Sequence, residues 1–347
     1  MGGNTETLRI SAAQEVPPDR QRQREEQLLA RARDGESHLH VSMLGGDLLA
    51  PGYFHAAPPS AAGQTWRRHT GGRAIAAGTG FLVVTLALPH RSALVAPERL
   101  ALRPEQVINR CVRGLMAWLR DLGLDPSYPG LDWLMLGHQR IAHLGFLETA
   151  EGPTLFQAVI GVESSLAEST LRLDRLDPEG TIPATLLMPD DCTTLQRALG
   201  QRSGRTKPAD HLGKIAAGYA ATFGLGVEST HLVDTAATTD SPLPADLPPQ
   251  ADAVRIEGKL GTVCAALRLQ NEQLTDVRIS GDLIARNDLR AGLRRALCGK
   301  SANSDSIAEC LDDFLDGQEQ YILGLVRAEI HELLARALTM AQRGKSS

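Results

Sequence analysis

The feature that most constrains the fold of this chain is an eight-residue apolar run at positions 81–88, FLVVTLAL, which stops at Pro89. It is the longest apolar run in the sequence and is much shorter than the roughly 18 residues that a membrane span requires. Its length and its β-branched residues are typical of a buried strand. We therefore expect a protein built around a sheet, with no transmembrane segment.

The stretch directly ahead of this run, RRHTGGRAIAAGTG at 67–80, combines two adjacent arginines with four glycines. Glycine has no Cβ, so its backbone can approach another group closely. Arg67 and Arg68 require a negative partner or solvent. A lone pair of arginines is usually solvated surface, but together with the glycines and the strand it predicts a loop folded around a negatively charged ligand.

The composition excludes several classes of protein. The chain has 347 residues, 42% of them hydrophobic, which is enough for two domains with separate cores. Its net charge of −5 argues against a general nucleic-acid binder. The first twenty or so residues lack the apolar stretch of a signal peptide, so we expect a cytoplasmic protein. The five cysteines form no CxxC pair, which favours reduced thiols over a zinc site.

Periodicity predicts an α+β chain with a change of pattern near its C-terminal third. Apolar residues recur at helical spacing over 104–122. The segment DSPLPADLPPQ at 240–250 holds four prolines and is the best linker candidate. Beyond it, three stretches are predicted as strands of a meander: 254–257, 262–269 and 273–280. Three helices are predicted after them: 284–298, 304–316 and 319–342.

These patterns predict a mixed-sheet domain at 1–240, a proline-rich linker at 241–250, and a small sheet-plus-helices domain at 251–347.

Two motifs resemble those of one enzyme family. The stretch RRHTGGRAI at 67–75 resembles the acyl-binding loop of the lipoate–protein ligase and octanoyltransferase family, R-R-x-[ST]-G-G-[GR]-A-V. The stretch GHQRIAHL at 137–144 resembles its second signature, G-R-K-I-x-G-x-A. Gly281 and Asp282, after the predicted meander, resemble the end of the meander in the accessory domain of the long ligases. The resemblance covers most of residues 20–315.

The resemblance implies a ligase-type catalytic domain followed by an accessory domain, and ATP-dependent attachment of lipoate or octanoate to a lysine of a lipoyl-carrier protein through an acyl-adenylate. It implies ATP as co-substrate, with Mg²⁺ accompanying it, and no nucleic-acid or membrane partner. Arg140 falls on the catalytic lysine of the second signature. Acyl or adenylate binding falls on Arg67, Arg68, Thr70, Gly71, Gly72, Arg73, Ala74, Ile75, Gly80, Ile141 and Ala142.

Departures from the family pattern keep two alternatives open. The His-Asp pair that follows the family's loop is Ala77-Gly78 here, and the glycine of the second signature is His143. Arg140 keeps the positive charge but cannot lose its proton, and residues 1–206 contain no lysine. These losses favour a non-catalytic acyl-binding scaffold or regulator. The other alternative is an octanoyl or lipoyl transferase with Cys192 as nucleophile.

Overall fold

The computed structural model describes residues 6–55, 65–94, 102–168, 187–200, 207–232, 253–316 and 322–344. The strands are β1 (Thr7–Val16), β2 (Ser37–Leu44), β3 (Leu48–Ala50), β4 (Ile75–Ala77), β5 (Phe81–Leu88), β6 (Pro126–Ser127), β7 (Trp133–Leu136), β8 (Gln139–Glu148), β9 (Thr154–Gly161), β10 (Gly226–Ser229), β11 (Val254–Glu257), β12 (Thr262–Gln270), β13 (Gln273–Gly281), β14 (Ile284–Ala285) and β15 (Ile322–Leu323). The helices are α1 (Pro18–Arg33), α2 (Pro104–Asp121), α3 (Leu195–Ala198), α4 (Pro208–Phe223), α5 (Leu289–Leu297), α6 (Ser304–Asp316) and α7 (Arg327–Arg343).

The α+β fold expected from the sequence is confirmed. One large sheet has the strand order β10-β1-β2-β5-β9-β8-β7-β6. Strand β1 runs parallel to β2 and β10, and the other neighbours are antiparallel. The apolar run at 81–88 forms β5, an inner strand whose eight residues are all buried.

The two faces of this sheet have different covers because successive side chains of a strand point to opposite sides. Leu82 and Val84 of β5 pack into a large core with helices α2 and α4. Phe81 and Val83 point to the other face, into a smaller apolar cluster that contains Trp66. Helix α1 and the small β3–β4 sheet lie on this second face. The predicted ligand loop connects directly to β4 and β5.

The residues after 252 form what we call the C-terminal unit (described residues 253–316 and 322–344). It consists of the antiparallel meander β11–β12–β13, with α5 packed on β13 and α7 on β12. Two predicted helix starts are wrong. Residues 284–285 form β14, which pairs with β15, so the helices begin at Leu289 and Arg327. The predicted linker at 241–250 lies outside the described residues.

The C-terminal unit is docked firmly on the rest of the chain. Phe54 is wholly buried in the core of the C-terminal unit, while Leu260 of that unit lies in the large core. The ring Nε2 of His55 is 3.0 Å from Oδ1 of Asp282, whose Oδ2 accepts the Thr262 N–H at 2.9 Å. Asp282, found in the sequence as part of a Gly-Asp pair, therefore holds the two parts of the protein together.

Replacing Asp282 by alanine removes the acceptor of both hydrogen bonds. A buried donor left without a partner costs about 1–3 kcal/mol. We therefore expect the free energy of unfolding, measured by urea titration, to fall by about 2–4 kcal/mol.

Asp313→Ala is the matched control, because Asp313 is an exposed aspartate on α6 of the same unit. Its effect should stay within about 0.5 kcal/mol. Equal effects of the two substitutions would mean that Asp282 contributes nothing to docking.

Candidate functional site

The predicted ligand loop, which we call the glycine loop (residues 66–74), is held between β8 and the C-terminal unit by backbone hydrogen bonds. The N–H of Gly71 donates to the carbonyl of Phe146 at 3.0 Å, and the N–H of Gly72 donates to the carbonyl of Leu283 at 2.7 Å. Both amide groups are therefore bonded to acceptors of this chain in the observed conformation.

Both glycines are required by this packing, for different reasons. A side chain at Gly71 would collide with the carbonyl of Leu283. Gly72 has a φ of +107°, and a Cβ at that position would lie 3.4 Å from Cε1 of His143. The space that the two glycines leave is taken by atoms of this chain. That they also contact an acyl tail stays a prediction.

Arg67 and Arg68, the two arginines that open the loop, direct their guanidinium groups at backbone carbonyls. Arg67 donates to the carbonyls of Tyr53, at 3.5 Å, and His55. Arg68 is wholly buried and donates to the carbonyl of Ala50 at 3.3 Å. Burial lowers the pKa of both groups to about 10, so both remain charged at neutral pH. In this conformation they organise the loop; phosphate binding by them stays a prediction.

A carboxylate from helix α1 balances part of this buried charge. Glu25 is wholly buried, and its Oε2 accepts both the N–H and the ring Nδ1 of His69, each at 2.9 Å. Its Oε1 accepts Nε2 of Gln157 at 2.6 Å, and Oε1 of Gln157 accepts the hydroxyl of Thr70 at 3.2 Å. A buried carboxylate needs such donors, so α1 and β9 fix the position of the loop.

Two partly exposed guanidinium groups converge on Trp133. With their carboxylates they form what we call the Trp133 cluster (Arg73, Asp132, Trp133, Arg140 and Asp191). The Cζ atoms of Arg73 and Arg140 lie 5.5 Å and 5.3 Å from the centre of the Trp133 ring, which is the range of cation–π contacts. Nε of Arg73 donates to Oδ2 of Asp132 at 2.6 Å, and Nη1 of Arg140 is 3.5 Å from Oδ2 of Asp191. Because guanidinium stacks well on aromatic faces, Trp133 orients both groups.

The structure brings Arg140 next to Cys192, the nucleophile of the transferase alternative. Their backbones form a β-bridge, and the Thr193 N–H donates to the Arg140 carbonyl at 3.0 Å. The Cys192 side chain is buried, and this burial raises the pKa of the thiol to about 11, although Arg140 acts in the opposite direction. Such a thiol is almost entirely protonated at neutral pH and is a poor nucleophile.

His143, where the family pattern has glycine, is wholly buried between Gly72 and Trp133. Its ring meets that of Trp133 edge-on, with centroids 5.3 Å apart. Its Nε2 is 3.6 Å from Oδ2 of Asp132, too far for a hydrogen bond, and neither ring nitrogen has a partner among the described residues. Burial lowers the pKa of His143 to about 4, against the opposing effect of Asp132.

The other predicted site residues have no charged side chains. Ala74 and Ile75 are buried where the glycine loop enters β4, and Ile75 packs in the same apolar cluster as Trp133. Ile141 and Ala142 belong to the large core that α2 and α4 cover. Gly80 lines a pocket of about 220 Å³ at the start of β5. Five further residues with polar or charged side chains line this pocket: Gln14, Glu15, Thr79, Glu163 and Lys207.

Sequence reasoning missed the residues that hold the guanidinium groups of Arg73 and Arg140, and it missed Glu25, which holds the glycine loop. Asp132 and Trp133 precede the second signature closely, and Trp133 is one of only three tryptophans in the chain, which was a usable signal. Asp191 and Glu25 had no comparable signal in the sequence, because each lies in a charged or polar stretch of ordinary composition. Over the described residues, no group of three His, Cys, Asp or Glu side chains is arranged to hold a metal ion.

Searches for relatives give a match in three-dimensional structure only. No model of a protein family matches the sequence, and no curated protein matches it. The lipoate complex of LipL1 from P. falciparum has a TM-score of 0.61 at 11% identity, covering 97% of this chain and 99% of its own. The chain has the fold of a lipoate–protein ligase. At this identity the similarity concerns the fold alone.

Two further solved structures have lower scores and shorter overlaps. The bipartite lipoate protein ligase from Thermoplasma acidophilum, in a study that includes its E2 lipoyl domain, has a TM-score of 0.44 at 13% identity, covering 66% of this chain and 88% of its own. Lipoate-protein ligase A bound with ATP has a TM-score of 0.46 at 15% identity, and the match covers 66% of this chain and 90% of the ligase chain. In the described part of this chain, no helix is both long and apolar enough to cross a membrane.

We expect this ligase fold to lose stability on acidification, because burial lowers the pKa of four histidines: His38, His40, His143 and His211. The two largest shifts are those of His40 and His143. Burial lowers the pKa from 6.5 to about 3 for His40 and to about 4 for His143. Below pH 6.5 these histidines therefore bind protons in the unfolded chain but stay neutral in the folded protein. The stabilisation is complete above pH 6.5 and is lost as the pH falls toward 4, with a slope near 1.4 kcal/mol per pH unit, roughly, for each histidine.

Urea titrations between about pH 7.5 and about pH 5 measure this slope as the change in free energy of unfolding. His143→Gln should reduce the slope of stability against pH by roughly the contribution of one histidine. The control is His138→Gln, since His138 is exposed in the turn between β7 and β8, and it should leave the slope unchanged. An unaltered slope in His143→Gln would mean that the buried ring takes up its proton without unfolding.

Proposed function

We propose that this chain is a ligase that activates lipoate, or a related medium-chain acid, with ATP and transfers the acyl group to a lysine of a lipoyl-carrier protein. The observation that carries the proposal is the convergence of Arg73 and Arg140 on Trp133, beside the glycine loop, in a protein with a lipoate–protein ligase fold over nearly its whole length. LipL1, whose match covers 97% of this chain, was solved in complex with lipoate.

The proposed reaction has two steps, each of which develops negative charge near phosphate. In the first, the carboxylate of the acid attacks the α-phosphorus of ATP, and pyrophosphate leaves. In the second, the amine of the carrier lysine attacks the acyl carbonyl, AMP leaves and the amine gives up a proton. Guanidinium groups bind phosphate oxygens through paired N–H donors and stabilise the developing charge.

Arg140 is the residue that we assign to this stabilisation. In the resemblance of residues 137–144 to the second signature, it falls on the family's lysine. About 29% of its side chain is exposed, so a ligand can reach it. Its Nε is buried without a hydrogen-bond partner among the described residues. Mg²⁺ that accompanies ATP is bound by phosphate oxygens, waters and one or two carboxylates; Asp132 and Asp191 are the carboxylates beside the two guanidinium groups.

A second candidate is a non-catalytic protein that binds an acyl group or a nucleotide. Two observations favour it: the amides of Gly71 and Gly72 are bonded to this chain, and a Cβ at Gly72 would lie 3.4 Å from Cε1 of His143. The transferase alternative has less in its favour, because the Cys192 thiol is buried with a raised pKa.

Single-turnover formation of acyl-adenylate, followed by the mass of a carrier domain, separates these functions. We expect wild type to form the adenylate and to add the acyl group to the carrier. Arg140→Ala should slow adenylation about 10²–10³-fold, the loss typical of one charge-stabilising donor. Arg140→Lys should slow it only about fivefold to tenfold, because the charge remains and the stacking on Trp133 is weakened.

Arg113→Ala and Cys192→Ser are the controls. Arg113 is an exposed arginine on α2, across the sheet from the glycine loop, and its loss should not change the rate. Cys192→Ser should also be neutral, whereas loss of acyl transfer in that variant would favour the transferase. Binding of lipoate or ATP without turnover in any of the proteins would favour the non-catalytic candidate.

A further inference from the structure

The cluster on Trp133 lacks uncompensated positive charge. Arg73 is paired with Asp132 and Arg140 with Asp191, and His143 is neutral at pH 7 because burial lowers its pKa. The two guanidinium groups and their two carboxylates therefore sum to no net charge. Binding of a polyphosphate at this cluster needs a further positive charge, because the affinity of a protein for phosphate rests on charge-assisted hydrogen bonds. Residues 1–206 contain no lysine to supply one.

One lysine of the C-terminal unit lies beside this cluster. Nη2 of Arg73 is 3.5 Å from the carbonyl oxygen of Lys259. Lys259 is in the turn that joins β11 to β12, and this turn is closed by hydrogen bonds between Gly258 and Gly261 at 2.8 Å and 3.2 Å. The N–H of Lys259 donates to the carbonyl of Gly324 at 2.7 Å. The backbone of Lys259 is therefore fixed on both sides.

The position of this turn relative to Arg73 is also fixed by its neighbours. Leu260, the next residue, is wholly buried in the large core. Asp282, which bonds to His55, accepts the N–H of Thr262 at 2.9 Å. The main chain of Lys259 is thereby held at the cluster while its side chain is exposed.

The Lys259 ammonium has no ion-pair partner among the described residues. The closest acid along the chain, Glu257, accepts a hydrogen bond from the hydroxyl of Thr262 at 2.7 Å. An exposed ammonium on a flexible four-carbon stem has three donors that can follow a moving phosphate. Lys259 therefore offers the charge that the Trp133 cluster lacks.

We propose that Lys259, from the C-terminal unit, binds the polyphosphate of a nucleoside triphosphate together with Arg73 and Arg140. The inference rests on the proposed function, because that function brings ATP to this site. It assigns part of the phosphate site to a residue outside the N-terminal region that contains the glycine loop and the second signature. It also gives the site an ammonium group, which the second signature of this chain, with Arg140 where the family pattern has lysine, does not supply.

Protection from an amine-reactive reagent tests the assignment directly in the full chain, which has only five lysines. The protein is treated with a limiting amount of an acetylating ester, with and without Mg-ATP or inorganic pyrophosphate, and each lysine is quantified by mass spectrometry. Modification of Lys259 should fall at least about threefold at saturating ATP, consistent with its charge-assisted bonding to phosphate. Lys300, exposed in the same unit, is the internal control and should stay equally reactive.

Variants give a second measurement. Lys259→Ala should weaken ATP affinity, measured by calorimetry, about tenfold, the loss typical of one hydrogen bond to a charged group. Lys259→Arg should retain most of the affinity, because the charge remains. Lys300→Ala is the matched control and should bind ATP as wild type does. Since both lysines are exposed, urea titration should give unchanged stability for all three variants.

The failure of this inference is distinguishable from that of the proposed function. If wild type binds ATP but Lys259 stays fully reactive and Lys259→Ala binds equally well, the role of Lys259 is overturned and the ligase proposal stands on Arg73 and Arg140. If wild type binds neither ATP nor pyrophosphate, both proposals are overturned together.

Discussion

Among the described residues, one hydrogen bond between backbone groups joins the glycine loop to the C-terminal unit: the N–H of Gly72 donates to the carbonyl of Leu283. The rest of the site depends on it. It requires a residue that tolerates a φ of +107°. The next residue, Arg73, is thereby directed toward Asp132 and the Trp133 ring. The same contact brings the unit that contains Lys259 against the loop. One glycine therefore sets both the conformation of the loop and the neighbour that it meets.

The charges of Arg68 and Glu25, which are buried around the loop, are stabilised by several hydrogen bonds each. Arg68 donates to the carbonyl of Ala50 and to the hydroxyl of Thr70, and Glu25 accepts from His69 and Gln157. Removing any one of these groups leaves a buried partner unsatisfied, at a cost of about 1–3 kcal/mol. Such a network is rigid, so the loop presents Arg73 to the site in one orientation.

The sequence predicted a helix or strand well where the spacing of its apolar residues was clear and where no tertiary pairing overrode that local pattern. Strand β5 has the expected bounds, and strand β11 also matches, because its residues alternate. Strand β1 was missed because its sequence, TLRISAAQEV, mixes polar and apolar residues on both faces. The helix predicted from residue 284 begins at Leu289 because tertiary pairing turns Ile284 and Ala285 into a strand.

The site was less predictable, because its contacts are non-local. The motifs indicated the glycine loop and Arg140, yet their partners lie far away in sequence: Glu25 is 44 residues before His69, and Lys259 is 186 residues after Arg73. No local pattern encodes such pairs. The consequence is physical. In the phosphate site that we propose, guanidinium groups held by Trp133 cannot follow phosphate as it moves, whereas a lysine on a flexible stem can. Because Lys259 and Leu283 belong to the same unit, any loss of docking removes the Lys259 ammonium from the proposed site and breaks the hydrogen bond of Gly72 at the same time.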